Sequence, residues 1–387
     1  MIDISYDIIS RIKSVIRRDV AELHTPQINE IDYDYVRKCL DSGFVSSVGA
    51  FVGNFENVIS DYCQAKHAIA VSSGTTGLHS LLYANGLDQD AEIILPAISF
   101  IATANSVLYC GGTPHFVDVD QNTLNICPDK LELYLEKITT IHNGVTVNKE
   151  TKKKIFGVLC VSVFGRPPEL NKVRKVCDKY NIPLFEDAAA ALGSTCNGYH
   201  AGHYSEAAVL SFNGNKIITA GGGGVIVTNN DALAQNLKHL TTTAKLNHPW
   251  HFHHDRLGFN YRMPNINAAL ACAQFTKLGK ILSAKQKLLN NYVKAFSDCE
   301  YGEILTDHKY IKSNNWLITL KLKETVLGST EELLRDLNNS GLKCRPVWCP
   351  LPDQSALNKY PKSDLSNLER IWKLFISLPS SEYTIND

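Results

Sequence analysis

The chain alternates short apolar runs with segments whose apolar residues recur at helical spacing. The apolar runs predict strands at residues 68–71, 92–95, 115–119, 154–163, 182–185, 207–212 and 225–228. The helical spacing predicts helices at residues 55–63, 78–85, 101–109 and 168–180. This alternation implies right-handed crossovers and an α/β fold with a largely parallel sheet that is covered on both faces. In such sheets ligands bind at the carboxyl ends of the strands.

The last third of the chain has a different pattern. From Pro264 the apolar spacing predicts one long helix that continues through Phe296. Strands at 316–322 and 342–348 then flank a helix at 331–337. We therefore expect three parts: residues 1–264 as an N-terminal segment and a large α/β domain, 265–295 as a linking helix, and 296–387 as a small α+β domain that closes over the site. A chain of 387 residues is longer than a single hydrophobic core usually supports.

Composition excludes some classes of partner. The chain has 39 basic and 39 acidic residues, which gives no electrostatic case for binding nucleic acid or an anionic membrane. No apolar stretch is long enough for membrane insertion, and the first twenty residues lack the apolar core of a signal peptide. The eleven cysteines include no CxxC pair. They are typical of thiols in a reducing cytoplasm.

Polar residues follow several predicted strands. Ser73, Gly74 and Thr75 stand where a strand gives way to a helix, which favours either a phosphate site or an ordinary helix cap. Asp187 ends a buried strand, so it either meets a cation or a protonated heterocycle, or caps a helix beginning at 188. Phe100 could belong to the core or lie flat on an aromatic ligand.

Lys216 follows another strand and precedes four consecutive glycines at 221–224. An amine among apolar strands is desolvated, which lowers its pKa and suits Schiff-base chemistry. The alternative is a surface lysine beside a flexible loop. Taken together, the strand ends supply a phosphate cradle, an aromatic face, a carboxylate for a ring nitrogen and an amine for an aldehyde. Pyridoxal 5′-phosphate (PLP) requires all four.

Several ordered motifs carry a resemblance to a known family. They are residues 96–105 (PAISFIATAN), 186–193 (EDAAAALG), 211–216 (SFNGNK), 258–262 (GFNYR) and 345–348 (RPVW). Together they resemble the DegT/StrS family of sugar aminotransferases, from about residue 44 to residue 381. The resemblance implies a large and a small domain with the PLP-transferase fold of type I. It also implies a homodimer with shared active sites.

The same resemblance implies roles for individual residues. Lys216 would bind the cofactor's aldehyde and later carry protons as general acid and base. Asp187 would pair with the pyridinium nitrogen, and Phe100 would stack on the ring. Asn260 would reach the phosphate in the neighbouring subunit. The remaining phosphate contacts would come from Gly74, Thr75 and Ser211. Ala190 is a departure, because the family often has glutamine there in contact with the cofactor.

A histidine-rich segment at residues 247–255 raises the question of a metal. His251 and His254 are three residues apart, as in some ligand pairs. The preceding proline and tryptophan argue against a regular helix that would fix ligand geometry, and we expect no metal site here. The resemblance makes this segment a loop at the dimer interface, with His248 and Trp250 as candidate ligands of the sugar or the nucleotide.

Arg345 and Trp348 have two interpretations. They could be plain surface and core residues, or they could bind the phosphates and the base of a nucleotide. The segments at 44–51, 213–216 and 247–267 resemble enzymes that act on 4-keto-6-deoxy nucleotide sugars for legionaminic-acid or bacillosamine-type surface glycans. We therefore expect a cytoplasmic aminotransferase that takes an amino group from L-glutamate, yields 2-oxoglutarate and aminates a nucleotide-linked keto sugar.

Two other functions compete with this expectation. Some members of the family are PLP-dependent sugar dehydratases that have histidine in place of the lysine, so Lys216 argues against that reaction. A non-catalytic, PLP-binding regulatory protein would need a nucleic-acid surface or a missing catalytic group. The sequence has neither feature.

Overall fold

The computed structural model describes residues 4–381. Residues 1–3 and 382–387 of the predicted domains lie outside this range. The described chain forms twelve α-helices: α1 (Ile4–Ile16), α2 (Glu30–Asp41), α3 (Ala50–Cys63), α4 (Gly74–Ala84), α5 (Ile101–Tyr109), α6 (Pro128–Ile138), α7 (Leu170–Lys179), α8 (Asp231–Thr241), α9 (Asn265–Phe275), α10 (Leu278–Ala295), α11 (Thr330–Asn339) and α12 (Ser366–Ile371).

The strands of the described chain are β1 (His67–Val71), β2 (Ala91–Pro96), β3 (Thr113–Val117), β4 (Thr139–His142), β5 (Val145–Asn148), β6 (Lys154–Val161), β7 (Leu184–Asp187), β8 (Thr195–Cys196), β9 (Ala207–Ser211), β10 (Gly224–Thr228), β11 (Gly302–Ile304), β12 (Ile311–Lys312), β13 (Thr319–Leu322), β14 (Arg345–Pro346) and β15 (Phe375–Ser377). None of the described helices is long and apolar enough to cross a membrane.

A central sheet dominates the fold. Its main path has the order β1, β10, β9, β7, β6, β2, β3, and the β4–β5 hairpin joins it beside β6. The strands from β9 to β3 are parallel to one another. In β6, Val158 and Cys160 pack into one apolar cluster, whereas Leu159 and Val161 pack into another. Apolar clusters on both faces explain why the central strands are continuous apolar runs.

Strand β10 departs from the parallel pattern, since it is antiparallel to both β9 and β1. The chain leaves β9 at Ser211 and starts β10 at Gly224 on the same edge of the sheet. In the register, Gly224 pairs with both Val71 and Ser211. The segment between them, which contains Lys216, is therefore a loop confined to the edge where the parallel strands end. Apolar runs do not carry strand direction, so the sequence did not predict this reversal.

The prediction of one long helix from 264 to 296 is wrong. The chain forms α9 and α10 instead, with a break at Thr276 and Lys277. The Thr276 hydroxyl donates to the Ala273 carbonyl at 2.6 Å. The Lys277 ammonium is 2.6 Å from the buried Asp32 carboxylate. The Thr276 hydroxyl competes for a helical backbone acceptor, and apolar spacing does not reveal such a bond.

The predicted strand at 342–348 is much shorter in the structure. Only Arg345 and Pro346 pair with β15. Leu342 bridges Ala21 near the start of the chain instead. Pro346 has no N–H to donate, which limits the ladder that this segment can form.

A second sheet contains β11, β13, β15 and β14 in an antiparallel arrangement. Helix α1 packs beside this part of the molecule even though it starts the chain. The Ser5 hydroxyl donates to Asp336 in α11 at 2.6 Å. Arg11 donates to the carbonyl of Ala295, the last residue of α10, at 2.6 Å. The division of the chain at residues 264 and 295 stays a prediction.

Candidate active site

A cavity of about 370 Å³ opens where β1, β2, β6, β7 and β9 end. Its lining includes most of the residues that the sequence singled out: Gly74, Thr75, Phe100, Asp187, Ser211, Lys216 and Trp348. Larger cavities of about 520 and 540 Å³ lie elsewhere, but none of these residues lines them. The sheet topology therefore brings together side chains that are more than a hundred residues apart in sequence.

Lys216 lies in the loop after β9. Its backbone N–H donates to the Asn213 carbonyl at 3.0 Å, which closes a tight turn. Part of the side chain faces the cavity, but protein surrounds the amine. This burial lowers the pKa of Lys216 to about 8, and the nearby Asp187 carboxylate opposes the shift. The surface-lysine interpretation is therefore wrong for this residue.

Asp187, the last residue of β7, is 6% exposed. One carboxylate oxygen accepts a hydrogen bond from the Thr103 hydroxyl at 2.6 Å, and the other accepts from the Ala189 N–H at 3.1 Å. Burial raises the pKa of Asp187, while Thr103, Ala189 and Lys216 oppose that rise. No helix begins at residue 188, so the helix-cap alternative is wrong. The carboxylate faces the cavity instead.

The neighbouring carboxylate, Glu186, points to the other side of the sheet because side chains alternate along a strand. It accepts hydrogen bonds from the Gly202 N–H at 3.0 Å and the Ser205 hydroxyl at 2.6 Å. Burial raises the pKa of Glu186 to about 7. Of the two adjacent acids, only Asp187 can contact a ligand in the cavity.

The start of α4 offers hydrogen-bond donors to the cavity. Ser73 caps this helix, since its hydroxyl accepts from the Thr76 N–H at 3.1 Å. The N–H groups of Gly74 and Thr75 belong to the first turn of α4 and have no acceptor within the helix. The helix-cap and anion-site interpretations are thus compatible. Ser73 is the cap, and the two residues after it line the cavity.

Glycines allow close packing around this helix start. A Cβ atom on Gly224 would lie 2.6 Å from the carbonyl of Ser73. A Cβ atom on Gly74 would lie 3.1 Å from the Ser211 side chain. The start of β10 can approach the start of α4 this closely because Gly224 has no side chain. Gly74 likewise allows α4 to pack tightly against the end of β9.

Two aromatic residues form part of the cavity wall. Phe100 is 58% exposed, so it does not belong to the core. Its ring lies 6.4 Å from the ring of Trp348, which in turn packs against Phe164 at 4.8 Å. A flat ligand in the cavity would therefore find aromatic surface beside the lysine and the carboxylate.

Four predicted residues do not line this cavity. Arg345 is exposed and donates to Asn338 and to the Cys344 carbonyl. His248 and Trp250 lie on an exposed loop, and Trp250 is 72% exposed. Asn260 is also exposed. The carbonyl of the next residue, Tyr261, accepts a hydrogen bond from the N–H of Ser72, just after β1. The substrate and cofactor roles expected for these four residues stay predictions.

The histidine-rich loop uses its side chains within the protein. His254 contacts the Thr243 carbonyl at 2.8 Å, and Asp255 pairs with His239 at 2.7 Å. His248 accepts from two backbone N–H groups of its own loop. Among residues 4–381, no three histidine, cysteine or acidic side chains are placed to hold a metal ion.

Sequence reasoning missed several residues of the cavity. Thr103, which bonds Asp187, lies one turn after Phe100 in the motif at 96–105 and could have been found there. Trp316 lines the cavity with its ring centre 4.0 Å from the Lys216 amine, and nothing local in the sequence indicates this contact. Ala190 also lines the cavity but presents only a methyl group.

Residues 26–387 match the sequence model of the DegT/DnrJ/EryC1/StrS aminotransferase family. The chain belongs to this family. GDP-perosamine synthase from Caulobacter vibrioides is 34% identical over 328 residues, which are 84% of each chain. The UDP-4-amino-4,6-dideoxy-N-acetyl-beta-L-altrosamine transaminase of Campylobacter jejuni subsp. jejuni serotype O:23/36 is 29% identical over 91% of this chain and 90% of the relative.

A solved structure extends the agreement to the fold. PseC of Helicobacter pylori, an aminotransferase involved in the biosynthesis of pseudoaminic acid, matches with a TM-score of 0.83 and 26% identity over 93% of each chain. The expected PLP-transferase fold of type I is confirmed, and the protein is a PLP-dependent transaminase.

The cavity lining fits this cofactor. Its aldehyde requires an amine, its ring nitrogen a carboxylate and its phosphate hydrogen-bond donors. Lys216, Asp187 and the first turn of α4 present these groups in one cavity. The Lys216 amine is buried with a lowered pKa, as a Schiff-base lysine needs.

Proposed function

We propose that this transaminase moves an amino group from L-glutamate to the C4 keto group of a nucleotide-linked 4-keto-6-deoxy sugar, for the synthesis of a surface glycan. One observation carries the proposal: a buried lysine amine with a lowered pKa and a buried carboxylate face the same cavity. The substrate class is supported by the names of the relatives, a GDP-perosamine synthase and a transaminase of a UDP-linked 4-amino-4,6-dideoxy sugar.

The residues of the cavity have distinct roles in this proposal. Lys216 holds the cofactor by its aldehyde, and Asp187 keeps a proton on the ring nitrogen. Phe100 covers one face of the ring. The phosphate is bound by Gly74, Thr75 and Ser211. When bound, the cofactor supplies an electron sink for the carbon from which a proton is removed.

Lys216 also moves the proton. An amine whose pKa lies at about 8 exists in both charge states near neutral pH, so it can take a proton from the donor's α-carbon and return one elsewhere. The adjacent carboxylate of Asp187 stabilises the charged form without a direct ion pair. Burial keeps bulk water away from the same amine.

The assembly is proposed to be a homodimer in which each subunit completes its partner's site. Asn260 would reach the partner's phosphate, while His248 and Trp250 would contact the sugar or nucleotide. Exposed apolar side chains on the same loop support an interface there, since Phe252 is 76% and Leu257 65% exposed. A cytoplasmic location is proposed because all eleven cysteines are free thiols.

Arg345 and Trp348 are proposed to contact the nucleotide. Trp348 lines the cavity, and an indole ring is suited to stacking on a base. Arg345 is exposed on the neighbouring strand β14, where its guanidinium can bind phosphate oxygens in a two-pronged manner. The same guanidinium donates to Asn338 and to the Cys344 carbonyl.

The test incubates the PLP-loaded protein with glutamate and a panel of UDP-, GDP- and dTDP-linked 4-keto-6-deoxy sugars. Mass spectrometry should detect one amino sugar together with 2-oxoglutarate, and the Lys216→Ala variant should form neither. NMR of the product locates the new amine. Amination at a carbon other than C4, or turnover by Lys216→Ala, would contradict the proposal. A product that has lost a hydroxyl group without gaining nitrogen would indicate the dehydratase reaction.

A further inference from the structure

Trp316 contacts both the amine of Lys216 and the backbone that carries it. The Lys216 Nζ atom lies 4.0 Å from the centre of the indole ring. The indole N–H donates at 2.6 Å to the carbonyl of Asn215, the residue before the lysine. Trp316 is 4% exposed, so the ring is fixed by packing. A single side chain thus contacts the Lys216 amine and also hydrogen-bonds the backbone beside it.

Two hydrogen bonds hold the backbone of Trp316 in place. Its N–H donates to Asn314 at 2.9 Å, and its carbonyl accepts from the buried Lys285 ammonium at 2.9 Å. Asn314 also donates to the Ala190 carbonyl at 2.7 Å, in the segment that follows Asp187. The segment before β13 therefore contacts both the loop that contains Lys216 and the loop that follows Asp187. These hydrogen bonds restrain the backbone of Trp316.

We propose that Trp316 is a positioning residue for Lys216: its indole face receives the lysine ammonium whenever that amine is not bonded to the cofactor, and its N–H keeps the Asn215 carbonyl in place. The attraction of an ammonium to the face of an indole ring is the physical basis, and it is strongest where water is excluded. The inference rests on the proposed role of Lys216 as the lysine that holds PLP.

The titratable groups around Lys216 decide how its pKa should change when Trp316 is replaced. Asp187, at the end of β7, favours the ammonium, whereas burial disfavours it. His24 also lies near Lys216, but burial lowers the pKa of His24 well below its ordinary value, so it is neutral when the lysine titrates. Lys285, on α10, donates to the Trp316 carbonyl. Replacing the indole with an aliphatic side chain removes support for the ammonium and lowers the pKa of Lys216.

The experiment measures how fast PLP attaches to the full-length apoprotein as a function of pH. Only the neutral amine reacts, so the rate should rise through a midpoint at about 8 in the natural protein. In Trp316→Leu the midpoint should fall by about one pH unit. At neutral pH this variant should therefore gain its visible absorbance faster than the natural protein does. A purely structural disturbance would instead slow attachment at every pH.

Two further variants distinguish an effect of the Trp316 ring from a general effect of changing the cavity lining. Trp316→Phe keeps an aromatic face without the N–H, and its midpoint should shift less than that of Trp316→Leu. Trp348→Leu removes an indole from the same cavity without touching Lys216, and its midpoint should not change. Circular dichroism and thermal unfolding establish that each apoprotein is folded. If Trp316→Leu does not fold, Trp316→Met replaces it with the same expected shift.

Two results would overturn the inference. One is a midpoint in the aliphatic variant that is unchanged or higher, and the other is an equal drop in Trp316→Phe. A different result would reject the underlying role of Lys216: in that case Lys216→Ala would still gain the visible absorbance of attached PLP.

Discussion

At the scale of single residues, a hydroxyl group favours the charged form of a buried carboxylate. Asp187 is buried, and burial alone would favour its neutral acid. The Thr103 hydroxyl donates to this carboxylate at 2.6 Å and is itself 2.5 Å from the Ser99 hydroxyl. The Thr103 hydroxyl offsets part of the effect of burial. A carboxylate that stays charged can keep a proton on a ring nitrogen.

Thr103→Val tests this arrangement, because valine has a similar shape but no hydroxyl. Losing the donor should raise the pKa of Asp187 further and lower kcat by about ten- to a hundredfold. Ser106→Ala is the matched control on the same helix, since its hydroxyl donates to the Thr103 carbonyl at 2.7 Å and not to Asp187. Steady-state kinetics should show a lower kcat for Thr103→Val and an unchanged kcat for Ser106→Ala. An unchanged kcat in Thr103→Val would mean that the hydroxyl does not support the carboxylate.

The burial of the adjacent Glu186 should make the free energy of unfolding of the apoprotein depend on pH. The folded protein holds the Glu186 proton up to about pH 7, whereas an ordinary glutamate loses it at about 4.5. The free energy of unfolding should therefore fall as the pH rises through this interval. Glu186→Gln keeps the accepting oxygen and has no proton to lose. It should be more stable than the natural protein above pH 7, by up to about 3 kcal/mol.

Urea unfolding of both apoproteins at several pH values measures the effect of Glu186→Gln. The gain should be small at pH values near 4.5 and should grow toward pH 7. A gain of the same size at every pH would show that the proton on Glu186 is not its cause.

At the scale of elements, the edge of the sheet depends on where glycine stands. Of the four consecutive glycines, Gly224 lies against the backbone of Ser73, whereas the nearest atom to a Cβ on Gly222 would be 3.9 Å away. The run is therefore not a uniformly flexible loop. Its last residue is packed between β1 and β9, and that packing positions the start of α4.

Gly224→Ala should force the start of β10 away from the start of α4. We expect the apoprotein to lose about 2 kcal/mol in its free energy of unfolding, because a methyl group does not fit against the backbone there. Affinity for PLP should also fall, since the donors of α4 move. Gly222→Ala is the control within the same run and should leave the free energy of unfolding unchanged. Urea unfolding and fluorescence titration with PLP measure the two effects.

The strands of the large sheet could be predicted because their burial makes them continuous apolar runs. Ser211 and Lys216 could also be placed at a strand end from the sequence alone. The direction of β10 could not be predicted, since it depends on where the loop after Lys216 returns to the sheet. The break between α9 and α10 was missed because the apolar spacing continues across Thr276 and Lys277.

At the scale of the whole molecule, the cavity is assembled from distant parts of the chain. Trp316 reaches Asn215 across 101 residues, and Asn314 reaches Ala190 across 124. Contacts of this kind leave no local pattern, which is why the sequence did not reveal Trp316. In the proposed homodimer, Asn260, which lies outside the cavity of its own subunit, would contact the cofactor in the partner's cavity.

Complementation tests the shared site of the proposed homodimer. Lys216→Ala should be inactive because it lacks the amine, and Asn260→Glu should be inactive because a carboxylate repels the partner's phosphate. After mixing and reassociation, a heterodimer has one site with both natural residues. About a quarter of all sites should then be active in an equal mixture. If the mixture stays inactive although heterodimers form, Asn260 does not act across the interface.

If Lys216 is the lysine that holds PLP, reduction should fix the cofactor to its side chain. The full-length protein is incubated with PLP, reduced with borohydride to fix the cofactor to its amine, digested and mapped by mass spectrometry. The modified peptide should contain Lys216, and the Lys216→Ala protein should yield no modified peptide. Stoichiometric labelling of a different lysine, such as the buried Lys285, would show that Lys216 does not hold the cofactor.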